Sequence, residues 1–273
     1  MMNDLSGIGK LYRIKLSKVL EQNPRIVDVA LVKRILEVSS QEAGRLLARW
    51  SDRGWIKRIK RGIYVPIPLD STTSKIVVEE PFLIADKIYS PGYIAGFSAI
   101  KYWDFTEQII ESVTYFTTNK VKNRTPNHGG IKFKLKTISK YKLFGLKTIW
   151  IGSNKIYISD PTKTVIDLLD DPKIVGGMTI IADFFLEYIN SKYYDFELLV
   201  QYALKNKNNT VFKRLGLLYE TKFTESDDNI LQLLKNISKS YSEFDPTVSS
   251  KFYLSKWKLK VSSYWKKEYG RKK

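Results

Sequence analysis

The sequence predicts an α+β protein in two parts: a small helical unit ending in a β-hairpin, then a larger mixed domain in which short strands precede helices. Three observations carry this. Apolar residues recur at helical spacing in three successive runs before residue 51. Two short strand-like runs, 55–59 and 63–65, flank the basic turn Lys60-Arg61-Gly62. After a turn-rich stretch, four strand-like runs give way to helix-spaced residues as far as Ser238.

In chain order, residues 8–21 read as a helix with Leu11, Ile14, Leu16, Val19 and Leu20 as its apolar positions, ended by Asn23-Pro24. A second helix starts near Asp28, whose side chain can cap it. The third covers 39–52. Three helices followed by a hairpin are the plan of a winged helix-turn-helix. Pro66, Pro68, Asp70 and the run 71–74 mark a linker, so the predicted domains are 1–70 and 71–273.

Beyond the linker, 82–89 and 97–103 read as helices, separated by Ser90-Pro91-Gly92. The strand-like runs are 113–118, 131–138, 148–151 and 156–159. In the second, Ile131, Phe133 and Leu135 share one face and Lys132, Lys134 and Lys136 the other, as a half-buried strand requires. Asp160-Pro161 opens a helix running to Leu169, with proline at its first position. Residues 257–261 read as a late strand, and the final eight residues as a frayed basic tail.

The charge is lopsided: 46 Lys+Arg against 28 Asp+Glu give +18, which favours a polyanionic partner. With no cysteine, the chain has no disulfide, thiolate zinc site or cysteine nucleophile. No apolar run reaches the length of a membrane span, and the N-terminus carries no signal-like apolar region. A cytoplasmic protein without a membrane partner is expected.

The stretch SSQEAGRLLARWSDRGWIKRIKRGIYV, 39–65, holds the candidate site. Ser39 and Glu42 have capping-box spacing. Ala43, Leu46, Leu47 and Trp50 fall on one helix face, which must be buried. Gln41, Arg45 and Ala48 then face outward, flanked by Gly44 and Arg49. Gln and Arg can make bidentate hydrogen bonds to base edges, and the small residues allow close approach to a groove. Ser39, Ser40 and Gln41 sit at the N-terminal end, where the helix dipole attracts phosphate. The hairpin adds Lys57, Arg58, Lys60 and Arg61, a cluster suited to duplex phosphates. Ile56, Ile59, Ile63 and Val65 are expected to pin it to the helices.

The single histidine, His128, lies in the loop Pro126–Gly130 and reads as a turn residue. Glu220-Thr221-Lys222 matches the ExK fragment of metal-dependent nucleases, with Asp195 or Asp160 as the upstream acid. The preceding VFKRLGLLY reads as helix, however, whereas such nucleases place the motif on a strand. No catalytic residue, metal ligand or cofactor is assigned. The C-terminal cluster of Tyr253, Trp257, Lys258, Lys260, Tyr264, Trp265, Lys266 and Lys267 reads either as core with lysines along it or as a nucleic-acid surface.

Four segments in order, RGIYVPIP, SPGYIAGFSAIKYWDFTEQIIESVTYFTT, YISDPTKTVIDLLDDPKIVGGM and VFKRLGLLYE, resemble the AbiEi antitoxins of type IV abortive-infection toxin–antitoxin pairs. The resemblance implies a winged helix that binds inverted repeats in its own promoter, two copies per operator. It also implies a larger domain that counters a nucleotidyltransferase-like toxin without a stable complex. The matched positions include Gly92, Tyr93, Ser98, Ala99, Asp160, Lys163, Thr164, Asp167, Gly176, Gly177, Arg214, Leu215 and Gly216. Most suit structural roles, with an Asp167–Arg214 pair expected. A DNA-targeted nuclease and a ligand-responsive transcription factor are the alternatives.

Overall fold

The computed structural model describes residues 9–22, 24–67, 81–108, 111–223 and 228–271. The fold is mixed α+β, with three separate sheets among those residues. It divides into two compact units. The first holds the described residues through Ile84 together with 125–132 and 151–154; the second holds the others. Residues 68–80 lie outside the described set, and with them most of the expected linker and the expected boundary at 70/71.

The first unit begins with α1 (Lys10–Leu20), β1 (Val27–Asp28), α2 (Val29–Leu36) and α3 (Ser40–Asp52), followed by β2 (Ile56–Lys60) and β3 (Ile63–Pro66). Two side-chain caps set the helix starts. Asp28 accepts from the Leu31 N–H at 2.8 Å, and Ser39 from the Glu42 N–H at 3.1 Å. The reciprocal half of the capping box is replaced: the Glu42 carboxylate takes a hydrogen bond from Lys15 Nζ at 3.0 Å. One apolar cluster joins Leu16, Val19, Val32, Ala43, Leu46, Leu47, Trp50, Ile56 and Tyr64.

Leu11 and Ile14 of α1 are 62% and 46% exposed, because the buried stripe runs through Tyr12, Leu16 and Val19 instead. In the hairpin, Tyr64 rather than Ile63 joins the cluster. Ile59 and Val65 are buried but lie outside it. Ile56 and Ile59 are both buried although an odd spacing should put them on opposite faces. A register shift between Arg58 and Lys60 reconciles them, as a β-bulge does. Strand β1 pairs antiparallel with β3, giving the sheet order β1-β3-β2. A two-residue strand has no period to read, so the sequence gives no sign of it.

Helix α4 (Pro81–Tyr89) contains the division point. The largest sheet has six strands in the order β6-β7-β5-β4-β9-β8: β4 (Gly92–Ile94), β5 (Ser112–Thr117), β6 (Asn127–His128), β7 (Ile131–Thr137), β8 (Leu146–Ile151) and β9 (Asn154–Ser159). Strand β4 lies where the sequence suggests only a helix break. It pairs antiparallel with β5 and parallel with β9. Gly92 permits this, since a Cβ there would stand 2.1 Å from the Phe116 carbonyl oxygen. In β7, Phe133 and Leu135 are buried as the alternation requires, but Ile131 is only half-buried, and of the opposite face only Lys132 is exposed, Lys134 and Lys136 being half-buried.

Helices α5 (Gly96–Tyr102), α6 (Pro161–Asp170), α7 (Met178–Ile189), α8 (Phe196–Asn206), α9 (Asn209–Lys222) and α10 (Asp228–Leu234) follow in the second unit. Every residue of α6 from Pro161 to Leu169 is buried, so this helix runs through the core rather than along its surface. The chain ends in β10 (Ser242–Glu243), β11 (Phe252–Leu254), β12 (Leu259–Val261) and α11 (Ser263–Gly270). The late strand is therefore shorter than expected, and Trp257 precedes it in a turn. The tail expected to fray is helical through Gly270 because Trp265 and Tyr269 anchor it; Lys272 and Lys273 lie outside the described residues.

Candidate nucleic-acid interface

The outer face of α3 is polar and open. Ala43, Leu46, Leu47 and Trp50 are buried, which turns Gln41, Arg45, Ala48 and Arg49 outward, with Gly44 half-buried beside them. Ser39 and Ser40 are exposed at the N-terminal end, although Ser39 Oγ is already engaged by the cap. Trp50 Nε1 donates to the Tyr12 carbonyl at 3.3 Å and fixes the rotation of α3 against α1. Arg49 is less free than its exposure suggests, for its guanidinium lies 4.2 Å from the Tyr12 ring centroid.

A shallow depression of about 500 Å³ follows this face, lined by Arg45, Ala48, Arg49, Asp52 and Arg53. Arg53 was missed from sequence. It stands four residues beyond Arg49 and eight beyond Arg45, a spacing that continues the same stripe past the last helical residue.

The hairpin presents Arg58, Lys60 and Arg61 to solvent and leaves Lys57 half-buried. Gly62 takes φ +79 at the turn, a conformation L side chains avoid. The first unit also gathers 125–132, beyond the expected boundary at 70/71. Gly129, at φ +61, lies so close to the hairpin that a Cβ would stand 2.6 Å from Ile59 Cδ1. His128 is in the two-residue strand β6 rather than in the turn itself. Burial, and then the charge of Lys60, push its imidazole below the ordinary histidine value.

The carboxylates considered for metal chemistry do not converge. Glu220 is on helix α9, and its carboxylate accepts from Lys256 Nζ and Trp257 Nε1, each at 2.5 Å. Asp195 caps α8 through the Leu198 N–H. Asp160 caps α6 through the Lys163 N–H and accepts from the Tyr202 hydroxyl. Among the described residues no group of three or more His, Asp or Glu is placed to hold a metal ion.

Six of the matched positions, Tyr93, Asp160, Lys163, Thr164, Asp167 and Arg214, make polar contacts around α6. Buried Lys163 pairs with Asp167, whose other oxygen accepts from the Tyr93 hydroxyl at 2.9 Å. Burial, with Asp167 alongside, holds that phenol well above its usual range. The expected Asp167–Arg214 pair is absent. Arg214 instead donates to three carbonyls, those of Leu169, Glu243 and Phe244, at 2.7–2.9 Å. Gly176 and Gly177 make the sharp turn expected of them, at φ +96 and +122.

No family model and no curated protein matches this sequence. Among solved structures, the chain is similar to the crystal structure of the RV2827C protein from Mycobacterium tuberculosis. The two share 12% identity over 94% of each chain, with a TM-score of 0.62. At that identity the likeness is one of fold. Among the described residues no helix is long and apolar enough to cross a membrane.

Proposed function

We propose that the protein is a cytoplasmic, sequence-specific DNA-binding autorepressor and antitoxin of a type IV toxin–antitoxin operon. In this reading α1–α3 and the β2–β3 hairpin are a winged helix-turn-helix. Helix α3 enters the major groove and Arg58, Lys60 and Arg61 of the wing meet backbone phosphates. The observation that carries it is the outward face of α3, with Gln41 and Arg45 beside the small Ala48, in the same compact unit as the basic hairpin. The net charge of +18 supports a polyanionic partner.

The antitoxin half rests on the ordered sequence resemblance. The matched positions lie in the polar contacts around α6, in a tight turn and at packed positions of β4, α5 and α9, so they support a shared scaffold for the second unit. Two copies bind one inverted repeat, and the adjacent nucleotidyltransferase-like toxin is countered without a stable complex.

The test is binding of purified protein to the DNA upstream of its own gene, against a scrambled duplex of equal composition, over a salt series. Preference for the upstream duplex that persists at 200 mM salt is expected; on the order of 10³-fold or more over non-specific DNA marks a specific reader. Equal, steeply salt-dependent binding to both would reject it. Co-expression with the adjacent toxin tests the second half, with restored growth expected.

One observation favours a second reading, a ligand-responsive transcription factor. A cleft of about 280 Å³ in the second unit is lined by Phe97, Ile100, Phe105 and Phe184, with Asp183 and Glu187 also on its wall. A small molecule that changes DNA affinity, with no effect of the protein on the toxin, would select it.

A further inference from the structure

The three-stranded sheet near the C-terminus, in the order β10-β12-β11, has one face that the DNA-binding reading does not use. Its inner face is core: Leu259 and Val261 are fully buried, and Phe252 and Leu254 pack beside them. The strand period therefore turns Tyr253 and Lys260 outward, and the two are register partners across the β11–β12 pair. Tyr253 is 60% exposed, in a position where an aromatic of this size gains nothing from burial.

Its neighbour is a second open ring. Tyr241, 39% exposed, meets Tyr253 edge to face, with centroids 5.1 Å apart and planes at 82°. Each ring carries its own ammonium group: Lys258 Nζ is 5.6 Å from the Tyr241 centroid and Lys260 Nζ 5.5 Å from that of Tyr253. Two partly exposed rings set edge to face, each with an ammonium group over it, combine aromatic surface with positive charge, the two things a flexible polyanion of unstacked bases requires. Bases stack on the rings and phosphates meet the lysines. A duplex offers no free base face, so this chemistry selects single strands.

We propose that this sheet face binds single-stranded RNA. The hydroxyls of Tyr241 and Ser255, 3.4 Å apart at the edge of the platform, supply partners for a ribose 2′-OH, which DNA lacks. Glu243, the register partner of Lys260 on the other side, is the one carboxylate among these positions and sets a limit to the strand's path. The site is independent of the α3 reading, because its residues all lie in the second unit.

The experiment is fluorescence anisotropy of the full chain with a labelled oligouridine, beside the deoxy analogue of equal length. The parent is expected to bind the RNA more tightly. The double substitution Tyr241→Ala/Tyr253→Ala keeps every lysine and is expected to weaken RNA binding by about tenfold for each stacked base lost. Tyr253→Phe, which keeps the ring, should stay near the parent. An unchanged melting temperature and unchanged binding to upstream duplex DNA would show that the double variant is folded. RNA affinity indifferent to loss of both rings would overturn the proposal, since charge alone would then explain binding. Equal affinity for the deoxy strand would overturn the RNA assignment, and displacement of the oligouridine by duplex DNA would overturn the separate site.

Discussion

Gly216, in the middle of α9, lies flat against the indole of Trp257; a Cβ built on it would stand 1.9 Å from Cζ3. Glycine inside a helix ordinarily costs about 1 kcal/mol against alanine. Here the sign reverses, because Trp257 is fully buried and its Nε1 is tied to Glu220 on the same helix. The indole has nowhere to go. Gly216→Ala should therefore destabilise by about 1–3 kcal/mol or more, the usual cost of overpacking a dense core. Urea unfolding would measure it, and a stabilised variant would show that α9 and Trp257 are not in contact.

Asp170 gathers two ammonium groups and two side-chain amides at the C-terminal end of α6. Lys136 and Lys142 each reach it at 2.9 Å, and the amides of Asn206 and Asn208 at 3.0 Å. Burial raises its pKa, but Lys136, Asn208 and Lys142 outweigh that effect and hold it well below the usual carboxylate range. A carboxyl depressed in the folded state adds stability that is fully present above its unfolded value, about 3.9, and is lost as pH falls toward the folded one. Asp170→Asn should cost about 3 kcal/mol at pH 7. The gap between parent and variant should close as the pH drops below about 4. A gap independent of pH would remove Asp170 from this role.

Arg214 is a fork with a carbonyl on each accessible tine: Leu169 O on Nη1, Phe244 O on Nε and Glu243 O on Nη2. These link the end of α6 to the segment entering the last sheet. Lysine keeps the charge but has one nitrogen at the end of a flexible stem, so it cannot serve three divergent acceptors. Arg214→Lys should cost about 2–6 kcal/mol, roughly two buried carbonyls left unmet at about 1–3 kcal/mol each. A variant with the parent's melting temperature would contradict this.

What the sequence conveyed about these elements follows from the range of the forces involved. Local signals were legible. Asp28, Ser39 and Asp160 each cap the helix they were read to cap, because a cap lies within three residues of its partner. The outward face of α3 was legible for the same reason, since a helix fixes the relation of Gln41, Arg45 and Ala48 by itself. Strands β1, β4 and β10 were not, since two or three residues have no period and exist only through distant partners. Residues 125–132 joined the first unit through Gly129 and Ile59, a contact with no trace in either segment. Arg214 illustrates the limit: its chemistry was visible, but its carbonyl partners belong to backbone that only the fold brings near.

Arg45 and Lys60 should separate the two roles in the proposed DNA complex. Both are exposed, one on the outer face of α3 and one on the hairpin. A guanidinium that reads a base contributes discrimination, so Arg45→Ala should cost about 1–3 kcal/mol on the upstream duplex and little on a scrambled one. An ammonium that meets a phosphate contributes equally to every sequence. Lys60→Ala should weaken both duplexes alike and reduce the slope of log affinity against log salt by about 0.9, the counterion release of one contact. Arg49 makes a useful control, because its guanidinium already lies on Tyr12: Arg49→Ala should show up partly as lost stability. If Arg45→Ala instead lowers both duplexes equally, base reading belongs to another residue of the stripe, and Gln41 is the next to replace.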